Sequence, residues 1–324
     1  MNLKRMLLHA LAGAVVAAAP IAATAAEAYP ERPIRVIVPF PPGGSNDVLS
    51  RYIGNKLSDR MGQQFVIDNR GGGSGIIGAQ LAAEAPADGH TLLFVSVSWM
   101  LNAAVRELPY DVEKSFDPIT LVASAPNCLV VSPKGPYKTL ADLVAAAKTR
   151  PGALSFASTG TGGINHFGGE LFKHAAKINM LHVPYKGGNP AMTDVMAGNV
   201  PVMFSSVTQT LPHVRAGRLK LLAVGSPQRS AVVPDVPTVA ESGFPGYNVT
   251  IWWGYAAPHG MPKNRMARVL KELNGVLDED ETKKWLLSYA ATPIKITPTA
   301  FAKQIHDEII QWKKVAQQAG IRIK

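Results

Sequence analysis

Apolar residues follow two alternating rhythms along this chain. Ile34–Val38 is an almost unbroken β-branched run, as in a parallel strand covered on both faces, and Val48, Leu49, Tyr52, Ile53, Leu57 and Met61 then recur at helical spacing as far as Gly62. Between them, Pro39-Phe40-Pro41-Pro42-Gly43-Gly44-Ser45-Asn46-Asp47 stops the ladder with prolines, frees the backbone with glycines and ends on residue types that cap helices. A strand that turns through glycines into a helix leaves N–H groups at the positive end of the helix dipole. Such a turn either holds an anion or needs glycine only for its shape.

The pattern predicts a strand over 65–68, a glycine-rich run over 69–78, a helix over 79–85, a turn over 86–90 and a strand over 91–97 that ends in Ser96 and Ser98. Residues 121–131 read as a long extended run interrupted at Pro126. The opening order then repeats: a helix over 140–148, a strand over 154–157, the turn Ser158-Thr159-Gly160-Thr161-Gly162-Gly163, and a helix carrying Ile164, Phe167, Leu171, Phe172 and Ala175. Strands over 180–185, 202–204 and 219–224 follow, with helices over 191–197 and 209–216. A second extended run covers 247–257, and helices over 266–277, 281–290 and Pro298–Gln318 come after it without strands of their own. Those helices need a sheet to lie on, and the first half provides one. The expected architecture is α/β in two domains joined by a double-crossing hinge: residues 27–125 with 250–324, and residues 126–249.

At 324 residues the chain has room for two such cores. The first 26 residues are read as a signal peptide: Lys4 and Arg5, an apolar stretch over 6–19, and small residues for cleavage between Ala25 and Ala28. That stretch is too short to span a bilayer, so the mature chain is expected to be exported and soluble, and it is read as a monomer. Removing Lys4 and Arg5 lowers the formal charge from +10 to +8. The remaining basic residues are scattered over separate helices and no nucleic-acid motif accompanies them, which sets nucleic-acid binding aside. Cys128, the sole cysteine, sits in an apolar run and reads as core.

Catalytic signatures are missing: there is no Gly-x-Ser-x-Gly elbow, no His-Glu-x-x-His and no phosphate loop. His166 and His174 have no third histidine at ligand spacing and read as surface or core residues, so no metal is expected. Gly73, Gly75 and Gly78 satisfy a dinucleotide fingerprint, but tight packing of a loop and helix on the sheet explains them more simply, and no cofactor is expected. Asp47 at a helix start reads as a cap. The two turns instead offer neutral polarity, backbone N–H groups beside Ser45, Asn46, Ser158, Thr159, Thr161 and Asn165, which suits a small carboxylate held by directed hydrogen bonds.

Seven segments in order carry a family resemblance: the turn at Val38 to Asp47 with Arg51, Asp88-Gly89-His90-Thr91-Leu92-Leu93, Phe116-Asp117-Pro118-Ile119, Ser158-Thr159-Gly160-Thr161-Gly162, Val183-Pro184-Tyr185-Lys186-Gly187-Gly188, Val236-Pro237-Thr238-Val239-Ala240-Glu241-Ser242-Gly243, and Trp253-Gly254 with Ala257-Pro258. With them the mature chain resembles the substrate-binding proteins of tripartite tricarboxylate transporters, the Bug or TctC-type periplasmic receptors. The resemblance implies a two-lobed periplasmic-binding-protein fold, type II-like, that closes on a small carboxylate for transient delivery to membrane transporter subunits. It implies a ligand set of Phe40, Gly43, Gly44, Ser45, Asn46, Asp47, Ser96, Ser98, Ser158, Thr159, Gly160, Thr161, Asn165, Tyr185 and Ser205. Members of that family often carry aspartate where Pro201 stands and proline where Gly71 stands. Two other functions remain open on the sequence: a receptor that feeds a sensor kinase, and an exported hydrolase or isomerase using Asp47 or a histidine.

Overall fold

The computed structural model describes residues 29–318 and Ile321, so the expected signal peptide lies outside the described residues. In the first half, β1 (Ile34–Val38), β2 (Phe65–Asn69) and β3 (Thr91–Ser96) run parallel in the order β2-β1-β3, connected by α1 (Ser45–Met61) and α2 (Ile76–Ala83). The apolar run of β1 is buried as expected, and Arg35, its one charged residue, pairs with Asp68 on β2. Strand β9 (Thr250–Pro258) lies antiparallel beside β3, and β4 (Phe116–Val131) antiparallel beside β9. The second half repeats the scheme. There β5 (Leu154–Ser158), β6 (Met180–Pro184) and β7 (Val202–Ser206) are parallel in the order β6-β5-β7, and the far end of β4 runs antiparallel between β7 and β8 (Lys220–Val224).

Strand β4 therefore belongs to both halves. Its rungs pair with β9 as far as Pro126, opposite Thr250, and from Asn127 onward they pair with β7 and β8. The sequence suggested an interruption at Pro126, but the strand runs through it. A proline has no N–H to give to a ladder, and here it stands at the rung where the partners change. Pro118 likewise sits where the β4–β9 register shifts. The chain returns at Val249, whose backbone bonds Asn127 and Gly225, and continues straight into β9. This is a two-lobed α/β fold that the chain crosses twice, once within β4 and once at Val249 on the way into β9.

The second half is covered by α4 (Leu140–Thr149), α5 (Ile164–Ala176), α6 (Gly188–Ala197) and α7 (Val207–Arg215). After β9, α8 (Lys263–Asp278), α9 (Asp280–Ser288), the two-residue β10 (Thr292–Pro293) and α10 (Pro298–Gln318) return to the first half, α8 against α1 and α10 against β4. One element differs in kind from the sequence reading. The strand expected over 91–97 stops at Ser96, and Val97–Val105 forms a helix, α3, which carries Ser98 in its first turn. Nearly all of α3 is buried, so its apolar residues form no single stripe and show no helical period.

Tight packing accounts for Gly78 of the dinucleotide-like run. A Cβ there would stand 2.6 Å from the Arg70 carbonyl oxygen and 2.8 Å from Pro39 Cα, both backbone atoms. Alanine is the better helix former, so propensity alone predicts stabilisation by about 1 kcal/mol for Gly78→Ala. Overpacking at this contact is expected to win, with a net loss of about 1–3 kcal/mol read as a lower urea midpoint; an equal or higher midpoint would refute the packing account.

Candidate functional site

Four strands, β1, β3, β5 and β7, each run directly into a helix, α1, α3, α5 and α7, and the first residues of all four helices line one cleft between the lobes. The turns into α1 and α5 are built alike. Gly43 and Gly162 take the left-handed region, φ 80° and 87°, and Gly44 and Gly163 follow as extended cap residues with ψ 170° and 168°. Only glycine adopts the first of these conformations without strain.

Neither glycine cap can hold its own helix start. No side chain at the cap position bonds the first turn of α1, α3, α5 or α6, whereas at α7 the Ser206 hydroxyl accepts from the Gln209 N–H. For α5 the acceptor comes from the opposite lobe: the Ile164 N–H donates to Ser98 Oγ at 3.1 Å. The cleft is thus walled by positive helix ends whose N–H groups lack local acceptors, a setting that favours an anion. Lys186 is the only charged side chain in the lining.

Side chains add directed donors. Trp253 Nε1 and Gln209 Nε2, both on lining residues, are buried without a partner, as is Asn46 Oδ1. Gln209 is seated against Gly188, where any Cβ would collide with it at 2.0 Å, and its Oε1 faces the Ser205 hydroxyl at 3.5 Å. In the same lobe Asn127 Nδ2 donates to Asn165 Oδ1 (2.7 Å) and Asn165 Nδ2 to Thr159 Oγ1 (2.9 Å), which fixes the lining residues Asn165 and Thr159. Buried donors left unpaired carry a desolvation penalty that an acceptor in the cleft removes.

Of the residues expected at the site, Phe40, Gly44, Ser45, Asn46, Ser96, Ser98, Thr159 and Asn165 line the cleft. The other seven do not, and each is engaged elsewhere. The Gly43 N–H donates to Asp47 Oδ2 at 2.9 Å, and Asp47 is buried against Arg51 at 2.8 Å. Burial alone would raise the Asp47 carboxyl; Arg51, the Gly43 N–H and Asn69 outweigh it and hold the group below its ordinary value. Asp47 thus acts as a brace for the turn, from the third helical position. Ser158 is fully buried and bonds its own turn and His182. Gly160 lies against Ser74, and the Thr161 carbonyl accepts from Ser74 Oγ (2.7 Å) and Arg106 Nη2 (2.9 Å), two groups of the first lobe. Tyr185 donates to Asp194, and Ser205 stands behind Gln209. Sequence reasoning missed Lys186, Asn189, Gln209 and Trp253 as lining residues. The period of two in the run 247–257 puts Ile251 and Trp253 on one face, a signal that was present.

With Thr161 and Ile164 bonded from the first lobe, and Asn189 Nδ2 donating to the Pro42 carbonyl at 3.4 Å, the lobes are closed on each other. The enclosed space open to water centres is about 50 Å³, where one water needs about 10–15 Å³. The Ser158 hydroxyl and His182 Nε2 lie 2.7 Å apart. The hydroxyl is buried outside the lining, and among the described residues no carboxylate bonds His182.

An α/β chain of two halves, crossed twice and closing a cleft of helix starts, has the form of a two-lobed solute-binding protein. The chain belongs to the TctC family, the tripartite tricarboxylate transporter family receptors, whose family profile matches residues 49–321. It is 38% identical over 330 residues to Protein BugT of Bordetella pertussis, with all of both chains covered. Among solved structures it is similar to an R. palustris protein solved with adipate, at TM-score 0.88 and 34% identity over 91% of this chain and 99% of that one. It is also similar to MatC from Rhodopseudomonas palustris with bound malate, at TM-score 0.84 and 29% identity over 89% and 99% of the two chains.

Behind the second turn, His166 and His182 stack at 4.0 Å between ring centroids. Burial, then His182, Lys173 and Arg106, push His166 down to about 3, and burial, then Lys173, pushes His182 down to about 4. Glu170 lies 3.8 Å from His166 but is paired with Lys173. Neutral His166 also accepts the Gly162 N–H at 3.2 Å, a bond that protonation at Nδ1 would remove. Because both folded values lie below the ordinary histidine value of about 6.5, the unfolded chain takes up protons first as pH falls. Stability from the pair is complete above about pH 6.5 and declines below it, by up to about 1.4 kcal/mol per pH unit for each histidine. Urea midpoints measured from pH 6.5 to about 4.5, above the range where most carboxylates titrate, are expected to fall in the natural protein and to fall less in a His166→Gln, His182→Gln variant; equal slopes would show that the pair is not responsible.

Proposed function

We propose that this protein is an extracytoplasmic receptor that captures a small carboxylate between its lobes and delivers it to a tripartite tricarboxylate-type membrane transporter. The observation that carries the reading is the cleft itself: uncapped helix starts from both lobes, one lysine, no acidic side chain, and the unpartnered donors Trp253 Nε1 and Gln209 Nε2. The adipate and malate held by two similar proteins support the same class of guest. One carboxylate oxygen pair meets the start of α1 at Ser45 and Asn46, and the start of α5 closes on it with Thr159 and Asn165. Lys186 at the rim receives a second acidic group where the guest has one. The lobes divide at Pro126 and Thr250, where the strand pairing changes. Chemistry plays no part in this reading, and the guest leaves unchanged.

Closure favours the bound state because the guest touches both helix starts only when the lobes meet. The Ser74 and Arg106 donors to Thr161 hold the closed form without lining the cleft.

In a thermal-shift panel, one or more small mono-, di- or tricarboxylates at a hundredfold excess over Kd should add about 2.7 kcal/mol of stability, roughly 3–5 °C for a chain of this size. The corresponding amides should add nothing; a panel in which no acid moves the transition would sink the proposal. Trp253→Phe should weaken the acid about tenfold or more by calorimetry, since a donor to a charged group contributes about 1.5–3 kcal/mol. Ser74→Ala and Arg106→Ala should raise the dissociation rate severalfold with the choice of acid unchanged, measured by stopped-flow fluorescence. An altered order of preference among acids would instead place those residues in contact with the guest.

A further inference from the structure

Strand β9 separates two cavities. Ile251 and Trp253 face the cleft, while Thr250 and Trp252 line a hollow on the opposite side of the strand, as strand alternation requires. Space open to water centres is about 340 Å³ in the hollow against about 50 Å³ in the cleft. Its walls come from Ser124 on β4, from Asn248 and Thr250 at the return crossing, and from α10. Glu308 of α10 is the only charged side chain in the lining.

Glu308 is held by neutral donors. Its Oε2 accepts from Trp252 Nε1 at 3.0 Å and its Oε1 from Gln304 Nε2 at 2.7 Å. Burial pushes the carboxyl above its ordinary value, against the pull of Trp252, Gln304 and Trp312, and among the described residues no cation contributes to its surroundings. With Trp312 as a third donor, one acceptor position on the carboxylate remains, and a half-buried charge without a cation beside it is ordinarily paired. Trp252 and Trp312, both in the lining, supply π-systems of the type that hold ammonium groups.

We propose that the hollow behind the hinge is a second ligand site, which takes a small organic cation, a protonated amine or a quaternary ammonium, at Glu308 between Trp252 and Trp312. The site stands on its own walls whatever the front cleft binds. Its width depends on the lobe angle, because Trp312 meets Phe167 of the second lobe edge-to-face at 5.6 Å between ring centroids and Asn248 lies beyond the crossing. A guest there therefore favours one lobe angle and, by linkage, alters affinity at the front.

The test is calorimetric titration of the whole mature protein with choline, and separately with the uncharged alcohol in which carbon replaces the nitrogen, each without any carboxylate present. Choline is expected to bind, the alcohol about tenfold or more weaker, and Glu308→Gln to weaken choline by a similar factor. Ser124→Trp, which fills the hollow from β4 and leaves Glu308 in place, should block choline while the thermal shift with the front-cleft acid persists. No choline binding, equal binding of the alcohol, or unchanged binding in both variants would overturn the site. A front-cleft affinity that choline leaves unaltered would overturn the coupling.

Discussion

The structure depends on backbone N–H groups that glycine caps leave bare. Every helix exposes N–H groups at its start, and most proteins satisfy one of them with a serine, threonine or aspartate at the cap. Here the turns into α1 and α5 place glycine at that position with nearly the same dihedral angles, so each lobe presents to the other a helix start that its own cap residue does not satisfy. Asp47 could have served as the acceptor but reaches outward to Gly43 and Arg51 instead. Two lobes that each lack acceptors favour bringing something acidic between them, and the rest of the architecture serves to position these ends.

Positioning falls to β4, the strand shared between halves, and to the return of the chain at Val249 into β9. β4 pairs in one lobe up to Pro126 and in the other from Asn127. Asn127, the first residue past the switch, also holds Asn165 in the cleft wall. The hinge and the site are thus one residue apart in sequence, and a change of lobe angle is felt directly at the wall. The same economy appears on β9, where successive side chains face the cleft and the hollow behind it.

Much of this was legible in the sequence. The β-branched run of β1, the repeated glycine turns and the strandless helices after residue 258 were enough to imply two α/β halves and a double crossing, because each signal is local and periodic. What escaped was set by tertiary context. Buried on nearly every side, α3 shows no amphipathic stripe. Ser158, Thr161 and Tyr185 look like ligand donors from their neighbours in sequence, yet their hydrogen bonds run to His182, Ser74, Arg106 and Asp194, partners that only the fold reveals. Gln209 reaches the cleft from a helix with no chemical signature of its own, and Lys186 from the Val183 to Gly188 segment, in which Tyr185 was the expected contact.

Ser98 has one further consequence. Its hydroxyl satisfies the Ile164 amide from across the cleft, so the shut conformation carries a bond that no guest has to supply. A contact of this kind weights the balance toward shutting, whatever the passenger. Such weighting taxes capture, because the concentration of acid needed for half-filling rises in proportion to the share of molecules standing shut.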